Sequence, residues 1–459
     1  MMSGTNIPRI VVAGVSSGVG KTTVAVALIA ALRRRGLKAA AFKCGPDYLD
    51  PTYLSCAGDT PACNLDGWMM GRDEVIAHFV ERSTSADIAI IEGVMGLFDG
   101  VSETSIEGST AQIAEWLNAP VILVVDASGM ARSLAALVKG FVEFEAGVRV
   151  AGAVVNRVGS RSHVQLLQRA QRQPPVLGGL PKSPDHAFSE RHLGLRTATR
   201  ETLSDEMLRY WSDTVEAWVD VDAILKLASS AQELNSVPLS ISPSKEPACR
   251  IAIARDDAFH FYYDYNLELW RGLGATLGSF SPLADSRLPD ADGVYIGGGY
   301  PELHARELSA NGSMLAAVRQ FAHDGAPIYG ECGGMMYLSR AIHTQAGERV
   351  ELAGLLPVEC RMNSKLRALG YVEAELQCDC LLGPRGMRLR GHQFRYSEPE
   401  FLKPPNLYSI RKRRSGDVEA EGCCAGSVLG SYVHAHWASN PLIARNFVQA
   451  CVRRRSVSA

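Results

Sequence analysis

Arg9-Ile10-Val11-Val12-Ala13-Gly14-Val15-Ser16-Ser17-Gly18-Val19-Gly20-Lys21-Thr22-Thr23 joins an apolar, β-branched run to an alanine-rich helical segment through a glycine-punctuated loop. A strand that turns into a helix over such a loop aims backbone amides and the positive helix end at an anion. Gly18 and Gly20 let the main chain approach phosphates, and Lys21 can reach the outer ones. The Thr22 hydroxyl is placed to ligate Mg2+, and Thr23 completes the nucleotide-binding stretch. One feature departs from the strict GxxxxGK[ST] spacing: Val15 stands where the first glycine is expected, and Gly14 lies one residue early.

Outward from this loop, short apolar runs at 9–13, 39–42, 88–92, 121–125 and 151–156 alternate with helical stretches, beginning with 21–35. This βαβ grammar, with little polar alternation within the strands, predicts a doubly wound, mostly parallel α/β sheet. The pattern collapses into Ser, Pro, Asn and Lys near 228–247, and short buried runs resume at 251–254, 276–280, 293–296 and 327–329. The expected organisation is therefore an ATP-dependent domain at 7–228, a linker at 229–248 and a second α/β domain at 249–455.

At 459 residues and 46% hydrophobic composition, the chain has material for two cores. A formal net charge of −2 gives no electrostatic case for nucleic acid or an anionic membrane surface. Basic runs such as 33–35 and 411–414 read as solvated surface. No signal peptide or spanning segment is visible, so a soluble, cytoplasmic protein is expected. Eleven cysteines, an odd number, argue for reduced thiols. Cys378 with Cys380, and Cys423 with Cys424, lack the spacing of a zinc site.

Phosphoryl transfer needs carboxylates that hold a divalent cation, and ligands of open sheets gather at strand C-termini. Asp47 and Glu92 occupy such places, Asp99 lies in the following loop, and Asp126 ends another run. Asn156 is placed to hydrogen-bond a nucleobase. ATP is favoured over GTP, because Arg157-Val158-Gly159 lacks the acidic residue of a guanine-specific site.

A second chemical motif lies far away. Gly330-Glu331-Cys332-Gly333-Gly334 follows an apolar run and precedes a helical stretch expected at 335–341, which describes a nucleophile elbow. Amides beyond the cysteine, from Gly333 onward, can face a tetrahedral oxyanion, and a further turn at Gly297-Gly298-Gly299 can present another. His434 and His436 supply a base. At i and i+2 on a strand they share a face; a metal pair is the other reading, with no third ligand apparent.

These stretches together resemble the cobyrinic acid a,c-diamide synthases of corrinoid biosynthesis over nearly the whole chain. The resemblance is carried by the phosphate loop, Gly45-Pro46-Asp47-Tyr48-Leu49-Asp50-Pro51, Glu92-Gly93-Val94-Met95-Gly96-Leu97-Phe98-Asp99-Gly100, Glu190-Arg191-His192-Leu193-Gly194-Leu195, Gly298-Gly299-Tyr300-Pro301-Glu302-Leu303-His304, the Cys332 turn and Gly430-Ser431-Tyr432-Val433-His434. It implies an N-terminal synthetase domain like that of dethiobiotin synthetase, which also shifts its first loop glycine, and a C-terminal class I glutaminase domain. It further implies Mg2+ on Thr22, Asp47 and Glu92, and ATP on the phosphate loop and Asn156. The tetrapyrrole would lie on Tyr48, Leu49 and Asp99, with glutamine hydrolysis by Cys332 and His434 over Gly298, Gly299 and Gly333.

The implied partners are ATP, L-glutamine and a corrinoid, without nucleic acid or membrane; a homodimer is left open. Hydrogenobyrinic acid and nickel sirohydrochlorin are alternative acceptors, and a partitioning or regulatory P-loop ATPase is the rival from another class. The chain departs from the family pattern at Gly391-His392-Gln393-Phe394-Arg395-Tyr396-Ser397, which more typically carries Glu and a second His. It departs again at Val15-Ser16-Ser17 and in a shortened segment at 178–190.

Overall fold

Apolar strands without a polar face must be covered on both sides, and the computed structural model, which describes residues 4–186, 188, 198, 202–235 and 247–458, meets that demand. The chain divides into two compact units, Met1–Leu239 and Ser240–Ala459. Residues 236–246 of the expected linker and the 190–195 motif lie outside the described residues, as do 187, 189 and 190 of the segment read as shortened.

In the first unit, β1 (Arg9–Gly14), β2 (Ala39–Cys44), β3 (Cys63–Leu65), β4 (Ile88–Glu92), β5 (Val121–Asp126), β6 (Val150–Val158) and β7 (Val176–Pro181) form a seven-stranded sheet. Its order is β3-β2-β4-β1-β5-β6-β7, and every pairing is parallel. Helix α1 (Lys21–Arg34) buries nearly its whole length against the sheet, with Val24, Leu28, Ile29 and Leu32 in the core cluster. The arginine run at its end is paired within the unit: Arg33 with Asp59, Arg34 with Asp213, and Arg35 with Glu216 and Asp222. The phosphate loop therefore sits where the central strand β1 ends, flanked by the C-terminal ends of β4 and β5.

The second unit is less purely α/β than its sequence predicts. A six-stranded sheet contains β8 (Cys249–Ala254), β9 (Ala275–Phe280), β10 (Gly293–Ile296) and β11 (Ile328–Glu331), all in parallel pairings. To these the structure adds a mixed four-stranded sheet and an antiparallel five-stranded sheet. The five-stranded one contains β12 (Ala368–Leu376) and β13 (Arg388–Arg395), which pair antiparallel. The helix expected at 335–341 is shorter: α2 covers Gly333–Leu338, and Ala341–His343 pairs as a strand with Arg349–Glu351 and Val358–Met362. Ser339 stops the helix in an extended conformation, its hydroxyl bonded to the Met336 carbonyl. β14 (Val428–Ser431) ends the parallel run beside β11, Cys423–Ala425 adds an antiparallel edge strand, and β15 (His434–His436) then pairs with β13.

Candidate active sites

In the first unit, the early glycine of the phosphate loop has a steric reason. A Cβ on Gly14 would lie 2.7 Å from Val19 Cγ2 and 2.9 Å from the Ser16 carbonyl, so the loop folds back over this position. Gly18 and Gly20 have φ of 77° and 93°, and a Cβ on Gly20 would lie 2.0 Å from Asn156 Nδ2. Asn156 donates from Nδ2 to the Val19 carbonyl at 2.9 Å. Lys21 Nζ donates to the Ser16 carbonyl at 3.1 Å.

Thr22, in the first turn of α1, donates its hydroxyl to Glu92 Oε1 at 2.6 Å. The same oxygen lies 2.9 Å from Lys43 Nζ, which reaches Asp50 at 2.7 Å and the Gly93 carbonyl at 2.8 Å. Register explains the meeting, since Lys43 and Glu92 are Cα partners on adjacent strands β2 and β4. All three charged side chains are buried. Burial opposes the Lys43 charge, but Asp50, Glu92 and Asp47 together hold its pKa above the usual lysine value. Burial raises the Glu92 carboxyl above the usual carboxylate range, with Lys43 opposing the rise. Glu92 Oε2 is buried and has no hydrogen-bond partner among the described residues. A bare carboxylate oxygen beside a threonine hydroxyl is a hard-oxygen donor set of the kind that Mg2+ takes.

The other sequence-predicted residues surround this cluster. Asp47 Oδ1 accepts from the amides of Leu49 and Asp50 at 2.8 and 2.9 Å, fixing the turn after β2. Leu49 is buried and Tyr48 half-buried. The exposed Asp99 caps its own loop by accepting from the Gly96 amide at 2.9 Å, and Leu97 donates to the Gly14 carbonyl at 2.8 Å, tying this loop to the phosphate loop. Lys43 and Asp50 were not singled out by sequence; the detectable signal was a lysine inside an apolar strand. Arg157 was also missed. It adopts φ 57°, bonds Asp126 at 2.5 Å and donates to the Gly18 carbonyl at 2.9 Å.

In the second unit, Cys332 sits between β11 and α2 at φ 51° and ψ −103°, a conformation that a side chain adopts only when its surroundings enforce it. The enforcement is local. A Cβ on Gly334 would lie 1.9 Å from the Ile296 carbonyl, and one on Gly330 would lie 2.8 Å from the Gly334 backbone. The Cys332 amide donates to the Ser431 carbonyl at 2.7 Å. The two glycine turns meet: a Cβ on Gly333 would lie 3.0 Å from the Gly299 amide nitrogen and 2.9 Å from Pro301 Cδ. Gly299 has φ 158°, and its own Cβ would strike the Ala258 carbonyl at 2.0 Å.

His434 packs against the second turn, since a Cβ on Gly298 would lie 2.5 Å from its Cε1. Its opposite neighbour is His392, the cross-strand partner on β13, with ring centroids 4.9 Å apart and stacked. Tyr263 Oη lies 2.9 Å from His392 Nδ1. His436 is buried against the rings of Tyr263 and Tyr265.

Buried polar groups fix the segment that carries His434. Glu421 accepts from the Ser431 hydroxyl at 2.5 Å and the Tyr432 amide at 2.7 Å. Glu331 accepts from the Ala435 amide at 3.3 Å and Tyr295 Oη at 2.7 Å. Asn266 donates to the Ala435 carbonyl at 2.8 Å and accepts from the Trp437 amide at 2.9 Å. Burial pushes the Cys332 thiol up to about 12 and the His434 imidazole down to about 3. It also raises Glu331 and Glu302 to about 7 each. His392 lies well below the ordinary histidine value, through burial and then the neighbouring His434 and His436.

Comparison with known proteins agrees with this division of chemistry. The family model described as the CobQ/CobB/MinD/ParA nucleotide binding domain matches residues 10–194, and that of the CobB/CobQ-like glutamine amidotransferase domain matches 250–442. A protein of Leptospira interrogans serogroup Icterohaemorrhagiae serovar copenhageni, named cobyrinate a,c-diamide synthase, is 51% identical over 98% of this chain and 99% of its own. Proteins of the same name from Syntrophotalea carbinolica and Dehalococcoides mccartyi are 47% and 43% identical, each over 97% of this chain and 98% of their own. No helix among the described residues is long and apolar enough to cross a membrane. A phosphate loop on a parallel sheet, a cysteine elbow and a buried histidine that pack on the same glycine turn, and this identity over almost the full length show that the chain belongs to the cobyrinate a,c-diamide synthase family.

Proposed function

We propose that this chain amidates the a and c acetate side chains of cobyrinic acid, using ATP to activate each carboxylate and glutamine as the nitrogen source. The observation that carries the reading is the presence in one chain of the Thr22–Glu92–Lys43–Asp50 cluster at a phosphate loop and the glycine-enforced Cys332 elbow near His434.

Free carboxylates resist amidation because hydroxide is a poor leaving group; transfer of the ATP γ-phosphoryl group to an acetate oxygen gives an acyl phosphate that ammonia displaces. Lys21 and the loop amides cradle the phosphates. Mg2+, held by the Thr22 hydroxyl, Glu92 Oε2 and Asp47, would neutralise charge on the transferring phosphoryl group. Lys43 keeps Glu92 in place through Oε1 and leaves Oε2 to the cation. Asn156 braces the loop through the Val19 carbonyl, its second role being contact with the nucleotide. Tyr48, Leu49 and Asp99 flank the place where the macrocycle's carboxylate approaches.

In the second unit the resting pair is a neutral thiol and a neutral imidazole. As Cys332 Sγ bonds to the glutamine δ-carbon, its proton passes to His434, and the amides of the Gly298–Gly299 and Gly333 turns receive the oxyanion. The proton then leaves with ammonia, and water cleaves the γ-glutamyl thioester to glutamate and free thiol.

Purified enzyme given ATP, Mg2+ and glutamine with cobyrinic acid, hydrogenobyrinic acid or nickel sirohydrochlorin, followed by mass spectrometry, tests the reading. Two carboxylate-to-amide conversions on cobyrinic acid are expected. Conversion of another acceptor alone would move the substrate assignment, and none at all would sink it.

A further inference from the structure

Arg395 closes strand β13, two residues beyond Gln393 and so on the same face. Both lie in the stretch 391–397, one of the places at which the chain departs from the family pattern. Each carries a buried donor, Arg395 Nε and Gln393 Nε2, with no acceptor among the described residues. The Arg395 guanidinium donates from Nη1 to the Ser397 carbonyl at 2.5 Å, and its central carbon lies 4.8 Å over the Tyr432 ring. Tyr432 directly follows Ser431, whose carbonyl accepts from the Cys332 amide, so the cation stands in the neighbourhood of the nucleophile. Its charge is felt at the Cys332 thiol, where it favours the thiolate. Glu421, the carboxylate that also feels this charge, commits its two oxygens to Ser431 and Tyr432.

A guanidinium takes a carboxylate side-on through its Nε and Nη2 edge, and here Nη1 is the nitrogen already engaged. A buried donor without an acceptor, as Arg395 Nε is here, is costly unless a ligand supplies one. Glutamine carries an α-carboxylate at the opposite end of its chain from the amide that Cys332 attacks. We infer that Arg395, assisted by Gln393, binds the α-carboxylate of glutamine and selects this amino acid as the nitrogen donor. The inference rests on the glutaminase reading of the Cys332 centre.

The test compares L-glutamine with 4-aminobutanamide, which keeps the amide and amine but lacks the carboxylate, in wild type, Arg395→Gln and Arg395→Lys. Wild type should show a KM for the analogue roughly 10- to 100-fold above that for glutamine. Arg395→Gln should raise the glutamine KM by a similar factor with little change in kcat, and Arg395→Lys should recover part of it. The analogue should be handled alike by wild type and Arg395→Gln. Amidation driven by ammonium chloride should be unchanged, which reports folding independently. Equal KM values for glutamine and the analogue in wild type would overturn the inference without any variant, as would equal glutamine KM values for wild type and Arg395→Gln. If Cys332→Ala still uses glutamine, the glutaminase reading itself fails, a result distinct from both.

Discussion

The two sites solve opposite electrostatic problems inside equally buried surroundings. Around Glu92 the protein gathers charge: Lys43 is locked between two carboxylates, with a threonine hydroxyl and a bare oxygen on the outer side. Around Cys332 it suppresses charge, with a thiol near 12, an imidazole near 3 and a second depressed histidine stacked alongside. Phosphoryl transfer needs fixed charges waiting for an anionic substrate, whereas a cysteine that attacks a neutral amide needs charge only as the bond forms. Burial serves both, because low polarity strengthens an ion cluster that is paired and raises the cost of an ion that is not.

This contrast can be broken at defined places. Cys332→Ala should cut glutamine-dependent amidation by about 10^4-fold while ammonium-driven amidation persists; parallel assays with the two nitrogen sources decide it, and equal loss would show that the sites are not separable. Lys43→Met should abolish amidation from both sources and destabilise the first unit by about 3–5 kcal/mol, since it strands Asp50 and Glu92 in the core. Chemical denaturation checks this, and an unchanged midpoint would mean that Lys43 is not needed to hold the two carboxylates in the core.

Glu331 sharpens the comparison through pH. Its carboxyl rises from 4.5 to about 7 on burial, so the stability it contributes is full below pH 4.5 and lost as pH rises through about 7. Glu331→Gln should therefore gain on wild type by up to about 3 kcal/mol between pH 4.5 and pH 8; parallel pH-stability curves from calorimetry would refute this. The smallest effect is expected from Gly298→Ala, whose Cβ would meet His434 Cε1 at 2.5 Å. Displacing the imidazole should lower glutamine-dependent kcat by about 10^2-fold, with the ammonium-driven rate as internal reference.

Much of this architecture was legible along the chain, and the exceptions share a cause. The runs that became β1, β4 and β10 are apolar on both faces, so composition alone marks them. Strand β12 does not stand out in the sequence, because Glu373 and Glu375 alternate with Val372, Ala374 and Leu376 in a half-solvated pattern that resembles polar loop. Ala341–His343 is too short to show a period, so Ala341 reads as the end of the preceding helix, and the strand character of the three residues comes from their two pairing partners.

The phosphate loop, the strand-end carboxylates, the cysteine elbow and His434 were determined by sequence, because each depends on residues that are neighbours in the chain and on local backbone geometry. The Lys43–Glu92 register, the stacking of His392 on His434, the grip of Glu331 and Glu421 on the histidine segment and the Arg395 edge were decided only by tertiary structure. Each of these joins groups far apart in the chain, and whether a buried charge is paired, suppressed or left for a ligand depends on which strands lie side by side.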